Sequence, residues 1–178
     1  ETVTVAGRTF VYATGYYDSG ISGFEIGADG GLTNVPGSNI KDGGSLELEG
    51  AYSLASTTVG GNTYLFVNGY DDSGISAFRV EADGSLTSVF DVFSAGVTGR
   101  MTVTNVGAES FLIAGGRNTD SVTVFKVAAD GSLTNTGTIN DSSDPALSLN
   151  GAAGVSSTVI GSATYVFVAG EFDSGVTS

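Results

Sequence analysis

Apolar and polar positions alternate along this chain in short runs, and clusters of turn-forming residues interrupt the runs at regular intervals. In Tyr64-Leu65-Phe66-Val67-Asn68, large side chains fall on both faces of an extended segment, the pattern of a strand buried on both sides. Gly69-Tyr70-Asp71-Asp72-Ser73-Gly74 is turn chemistry: Asp bonds its own backbone, and Gly takes positive φ without strain. Ile75-Ser76-Ala77-Phe78-Arg79-Val80 reads as the next strand. Ala82-Asp83-Gly84-Ser85 then predicts a hairpin with a two-residue type I′ turn, and Leu86-Thr87-Ser88-Val89-Phe90 a third strand. After a loop, residues 99–105 supply a fourth. No stretch carries apolar side chains at helical spacing, so the predicted class is all-β.

The same unit is written nearly four times, over residues 8–35, 62–89, 109–136 and 163–178. Asp29 to Asp83 is 54 residues, Asp83 to Asp130 is 47, and Phe111 to Tyr165 is 54. Four antiparallel strands in a period near fifty are the content of one β-propeller blade. With strands lettered a to d from the axis outward, strand b covers 9–14, 63–68, 110–115 and 164–169. Strand c covers 20–26, 74–80, 121–127 and 174–178. Strand a lies at about 51–59, 98–106 and 152–160, with residues 2–5 as the tail of an earlier one. The expectation is one partial propeller over residues 1–178, with repeats at about 1–40, 50–94, 97–140 and 151–178. It starts inside a strand a and ends inside a strand c, with no initiating Met, signal peptide or transmembrane run. That reads as an internal piece of a longer, processed product. Its open edges call for covering, by other copies of the chain or by adjacent repeats of a longer one.

Composition narrows the function classes. The chain has 28 Gly and 40% hydrophobic residues, mostly β-branched, aromatic or Leu, as many tight turns between pleated strands require. Its net charge of -13 argues against nucleic-acid binding and against anionic membrane surfaces, and suits cations or a saline extracellular medium. Cys and His are absent, which removes disulfides, thiol chemistry and the usual zinc ligand and general base. No residue set amounts to a catalytic or cofactor-binding site.

Two groups of side chains are candidates for binding. The b–c turns carry Asp18, Asp72, Asp120 and Asp173, read as the same point of each copy. In a propeller the d–a loops open on that face and add Asp42, Glu47, Glu49, Asp141 and Asp144. Such oxygens could coordinate Ca²⁺, although turn geometry alone accounts for Asp beside Gly, and no EF-hand loop or calcium β-roll nonapeptide is present. Tyr16, Tyr17 and Tyr70 sit at turns and are the candidate ligand-binding rings, for a glycan or a protein. The column Phe10/Tyr64/Phe111/Tyr165, with Tyr12/Phe66/Ile113/Phe167, alternates strictly and reads as packing between blades. The third copy departs at Arg117-Asn118-Thr119-Asp120, and its link over residues 137–150 is long and polar, a place for a specific contact.

The strings Tyr64-Leu65-Phe66-Val67-Asn68-Gly69, Asp72-Ser73-Gly74-Ile75-Ser76-Ala77-Phe78 and Ala82-Asp83-Gly84-Ser85-Leu86-Thr87 resemble the lactonase-type β-propeller repeat. The resemblance is to its diverged form in large secreted bacterial proteins, including calcium-binding proteins of the repeats-in-toxin kind. It implies a propeller of four-stranded blades and a secreted or cell-surface setting. It also implies, in the enzyme members, lactone hydrolysis by acidic and basic groups, sometimes with a divalent metal, where the channel opens. No catalytic residue carries over. The functional expectation is a non-catalytic structural, adhesive or binding module that assembles edge to edge; the alternative is a lactonase-like hydrolase fragment with a metal-dependent site at the channel mouth.

Overall fold

The computed structural model describes residues 1–93 and 96–178, so the expected end of the second repeat at residue 94 lies outside the described residues. Four antiparallel sheets follow one another along the chain. The first holds β1 (Thr2–Val5), β2 (Arg8–Gly15), β3 (Gly20–Ile26), β4 (Leu32–Asn34) and β5 (Ile40–Lys41). The second holds β6 (Ala51–Val59), β7 (Asn62–Gly69), β8 (Gly74–Val80) and β9 (Leu86–Phe93). The third holds β10 (Met101–Val106), β11 (Glu109–Gly116), β12 (Ser121–Val127) and β13 (Leu133–Asn140). The last holds β14 (Ala152–Ile160), β15 (Ala163–Gly170) and β16 (Gly175–Thr177). Within each sheet the strands pair in chain order, except that β5 pairs with β3 as β4 does, and across sheets the first strand β10 neighbours both β6 and β14. This is an all-β propeller arc built of four-stranded antiparallel blades. Among the described residues no helix is long and apolar enough to cross a membrane.

The Asp-Gly hairpins differ from the predicted type I′. Only the glycine is left-handed: Gly30, Gly84 and Gly131 have φ of 80°, 85° and 86°, while the aspartates before them keep negative φ. Gly84 N–H donates to the Glu81 carbonyl and Glu81 N–H to the Ser85 carbonyl, so three residues, not two, form the loop. The Asp83 side chain accepts from the Ser85 amide at 3.0 Å and from its hydroxyl at 2.7 Å, which fixes the turn from inside.

Outer strands carry a second regularity. The β8–β9 register shifts between Ala77 and Phe78, and the β12–β13 register between Val124 and Phe125. The first blade enlarges this bulge until the strand divides into β4 and β5. Pro36 cannot donate to the ladder there, and buried Ser38 satisfies the lifted backbone through the Val35 and Gly23 carbonyls. The polar link of the third copy also differs from expectation, since β13 runs to Asn140 and takes its first residues into the sheet.

The core lies between blades, not within one. Phe10 and Tyr12 of the first blade pack with Leu65, Val67, Phe78 and Leu86 of the second. Tyr64, Phe66 and Ile75 of the second pack with Leu112, Phe125 and Leu133 of the third. Two hydroxyls anchor this stacking: Tyr12 donates to the Gly84 carbonyl at 2.7 Å and Tyr64 to the Ala129 carbonyl at 3.0 Å. Burial, then the Asp83 charge, pushes the Tyr12 phenol up to about 12.

Candidate functional site

The b–c turns and the d–a loops meet at one end of the arc, and hydrogen bonds join them. Glu49 N–H donates to Asp72 Oδ2 at 2.7 Å, Asn150 N–H to Asp173 Oδ2 at 2.9 Å, and Gly151 N–H to Asp120 Oδ1 at 2.8 Å. Three of the four turn aspartates thus have a carboxylate oxygen occupied by a loop amide. Asp18 stands in solvent with Lys41 at 3.7 Å. Among the described residues no three acidic side chains converge on a point that could hold a metal ion.

Asp120 does not occupy the same point as the other three. Its φ of 51° matches Ser19, Ser73 and Ser174 at 48°, 60° and 54°, so it stands at the left-handed serine position, and Thr119 takes the aspartate position. The role confirms the register: Asp120 caps the Gly151 amide as the Ser19 hydroxyl caps that of Gly50. Asp is among the few residues that tolerate this backbone conformation.

The tyrosines come together. The Tyr16 and Tyr17 rings meet edge to face at 5.3 Å, Tyr16 and Tyr70 at 6.1 Å, and Tyr70 and Tyr52 at 5.9 Å. Tyr70 Oη donates to Asn118 Oδ1 at 3.0 Å and accepts from Arg117 Nη1 at 3.1 Å. Arg117 Nε donates to Glu171 Oε2 at 2.6 Å, and its guanidinium lies 5.5 Å from the Phe172 ring centroid. Tyr16, Tyr70, Arg117 and Glu171 are the first residues of the four b–c turns. One turn position, repeated once per blade, therefore makes a continuous strip across the whole arc. Tyr17 is 99% exposed at one end of it and Phe172 is 61% exposed at the other.

Sequence reasoning missed Tyr52 and Arg100, which join this strip to a hollow. The β6–β7 register shifts between Ala51 and Ser53, so Tyr52 is the extra residue of a bulge that turns its ring toward Tyr70. The Arg100 guanidinium lies 5.9 Å from the Tyr52 centroid. Both line a hollow of about 660 Å³ on the side of the inner strands, with Glu1, Thr14, Ser53 and Met101. A bulge leaves no mark in an alternation pattern. The strip itself was visible, as the residue after Gly15, Gly69, Gly116 and Gly170.

Electrostatics within the strip have local causes. Burial, then the Asp71 carboxylate, raises the Tyr16 phenol above its usual range. The hydrogen bond from Arg117 holds the Glu171 carboxyl below the usual carboxylate range. A folded-state value below the unfolded one means that the folded chain binds this proton more weakly. The pair therefore supports the fold above the ordinary carboxylate value and is lost as pH falls through the folded value. Carboxyl-carbon NMR should find Glu171 titrating at lower pH than an ordinary glutamate, and Arg117→Gln should return it to the ordinary value. Glu171 titrating normally in the unaltered chain would mean that the ion pair does not persist in solution.

No family model and no curated protein sequence matches the chain. Its fold does match solved structures. A proposed 6-phosphogluconolactonase of Bacteroides uniformis superposes with a TM-score of 0.61 at 15% identity, over 99% of this chain and 54% of that one. The periplasmic gluconolactonase of Pseudomonas aeruginosa gives 0.59 at 22%, over 79% and 39%. An exo-β-1,3-galactanase of Phanerochaete chrysosporium gives 0.65 at 7%, over 95% and 42%. At these identities the likeness speaks to the fold alone, and the chain spans about half the length of such structures or less. Lactonase-like and glycosidase propellers are thus the structural company of this arc.

Proposed function

We propose that this arc is a binding module of a secreted or cell-surface bacterial protein, and that its tyrosine strip receives a sugar or sugar-derived ring. The observation that carries the reading is the strip itself, one turn residue per blade running from Tyr16 through Tyr70 to Arg117 and Glu171. Phenol rings that are exposed at Tyr16, Tyr17 and Tyr52 and half-buried at Tyr70, flanked by hydrogen-bonding edges, suit a pyranose, which has an apolar C–H face and a hydroxyl rim. Tyr52 and Arg100 extend the same surface into the hollow, so a chain of rings has a path from the rim toward the axis. The acidic surface supports an extracellular setting.

A glycan array, followed by calorimetry on the best binder, tests the reading. Tyr70→Ala should weaken binding by about tenfold or more, as central aromatic anchors do. Lys126→Gln, which breaks the remote Lys126–Glu109 pair, should leave binding unchanged. Equal affinity of Tyr70→Ala and the unaltered chain would sink the proposal.

A lactonase-like hydrolase is the second reading, favoured by the gluconolactonase among the structural neighbours and by the hollow where Arg100 meets Tyr52. Titration of acid released from gluconolactone, with and without Ca²⁺, separates the two. Turnover above the buffer rate that Arg100→Ala abolishes would establish the hydrolase.

A further inference from the structure

The first two of the three interior junctions between blades are made in the same way. At the third, Ile113 stands in place of the second aromatic, and the last blade, with three strands, has neither the hairpin glycine nor the outer-strand leucine. In the first two, the earlier blade offers two aromatics from its second strand, and Phe10, Tyr12, Tyr64 and Phe66 are all at most 2% exposed. The next blade receives them on the glycine of its Asp-Gly hairpin and on the leucine that opens its outer strand. A Cβ on Gly84 would strike the Phe10 ring, and one on Gly131 would lie 2.5 Å from the Tyr64 ring. Leu86 and Leu133 are 9% and 7% exposed.

Both halves of this junction recur, unmated, at the two ends of the arc. On the last blade Tyr165 and Phe167 hold the positions of Tyr64 and Phe66 but are 43% and 37% exposed. Val176, in the place of fully buried Ile75, is 67% exposed. On the first blade Leu32, in the place of Leu86, is 60% exposed. Of the three Asp-Gly hairpins among the described residues, only that of Gly30 faces open space, with nothing within 4 Å of a Cβ built there. The knob at one end and the socket at the other are those of the first two interior junctions.

We propose that the last blade of this chain seats the first blade of a second copy, with Tyr165 over Gly30 and Leu32 as Tyr64 lies over Gly131 and Leu133. The contact joins unlike faces and is therefore heterologous; two copies that satisfy both junctions at once close on each other, and otherwise the series continues. The inference is independent of the tyrosine strip, which lies on the turn face.

Sedimentation velocity on the 178-residue chain across a concentration series tests it. The expected mass is that of two or more chains. Tyr165→Arg and Leu32→Arg each place a charge in the junction from opposite sides, at exposed positions that the fold of one copy does not need. Each should weaken self-association by more than about tenfold with an unchanged far-ultraviolet spectrum. Mixing the two variants should restore a one-to-one complex, because one copy keeps an intact socket and the other an intact knob. A chain that stays monomeric at every concentration overturns the proposal. So does association that both variants leave intact, or a mixture that behaves as its separate parts.

Discussion

Gly131→Ala should destabilise this protein by about 2–5 kcal/mol, whereas Gly30→Ala at the same point of the first repeat should cost only about 1–2 kcal/mol. Both glycines are left-handed, with φ of 86° and 80°, so both substitutions carry the same backbone penalty. They differ in what the new methyl group meets. At Gly131 it falls 2.5 Å from Cδ1 and 3.2 Å from Cγ of Tyr64, a ring that is 2% exposed and tied by its hydroxyl to the Ala129 carbonyl. The ring has nowhere to withdraw, and the junction between the second and third blades must open. At Gly30 the methyl meets nothing. Urea denaturation of the two variants reads the difference directly. Equal losses would show that the aromatic-on-glycine contact adds nothing to the junction. The comparison is made at low protein concentration, where copies of the chain do not associate.

Asn68→Ala should cost about 3–5 kcal/mol. Asn68 is fully buried. Its Oδ1 accepts from the Ser53 amide at 2.8 Å, and its Nδ2 donates to the Val97 carbonyl at 3.1 Å and the Gly99 carbonyl at 3.0 Å. Three backbone groups from two blades converge on one carboxamide, and alanine removes the side-chain partner of all three in a buried site. Ser53 continues the knot by accepting from the Met101 amide at 3.0 Å. Asn68→Asp should be no better, because a carboxylate cannot donate to the two carbonyls. Thermal melting checks both; a fall in stability below about 1 kcal/mol would mean that water takes over the three bonds.

The parts of this fold that the sequence displayed are those set by local chemistry repeated in register. Tyr64 to Asn68 alternates because the strand is buried on both faces, and Asp-Gly marks each c–d hairpin because only glycine accepts the third loop position. The misreadings arise where one residue changes its partner. An Asp-Gly pair is compatible with a two-residue or a three-residue loop, and the choice rests on the Glu81–Ser85 bond pair, which has no signature of its own. Asp120 looked like a fourth copy of Asp72 because aspartate suits both neighbouring turn positions; only its positive φ separates them. Tyr16, Tyr17 and Tyr70 were legible as turn rings, of which Tyr16 and Tyr17 are exposed and Tyr70 is half-buried. Their meeting with Tyr52 depends on a bulge, and with Arg100 on the way the third blade approaches the second, and neither follows from spacing. Asn68 stands in a strand where its copies are Thr14, Gly115 and Ala169, so periodicity hides its role.

The aromatic resting on the next unit's glycine also governs how order spreads along this chain. Each unit is completed only by its successor, so cohesion is a relation between nearest neighbours, as in a row of linked cells. Within residues 1–178 the second and third units are held from both sides and the outer two from one side only. Unravelling should therefore begin at the extremities and move inward, and any partner that grips Tyr165 or Leu32 would raise the melting point of the whole row by stopping that retreat at its origin.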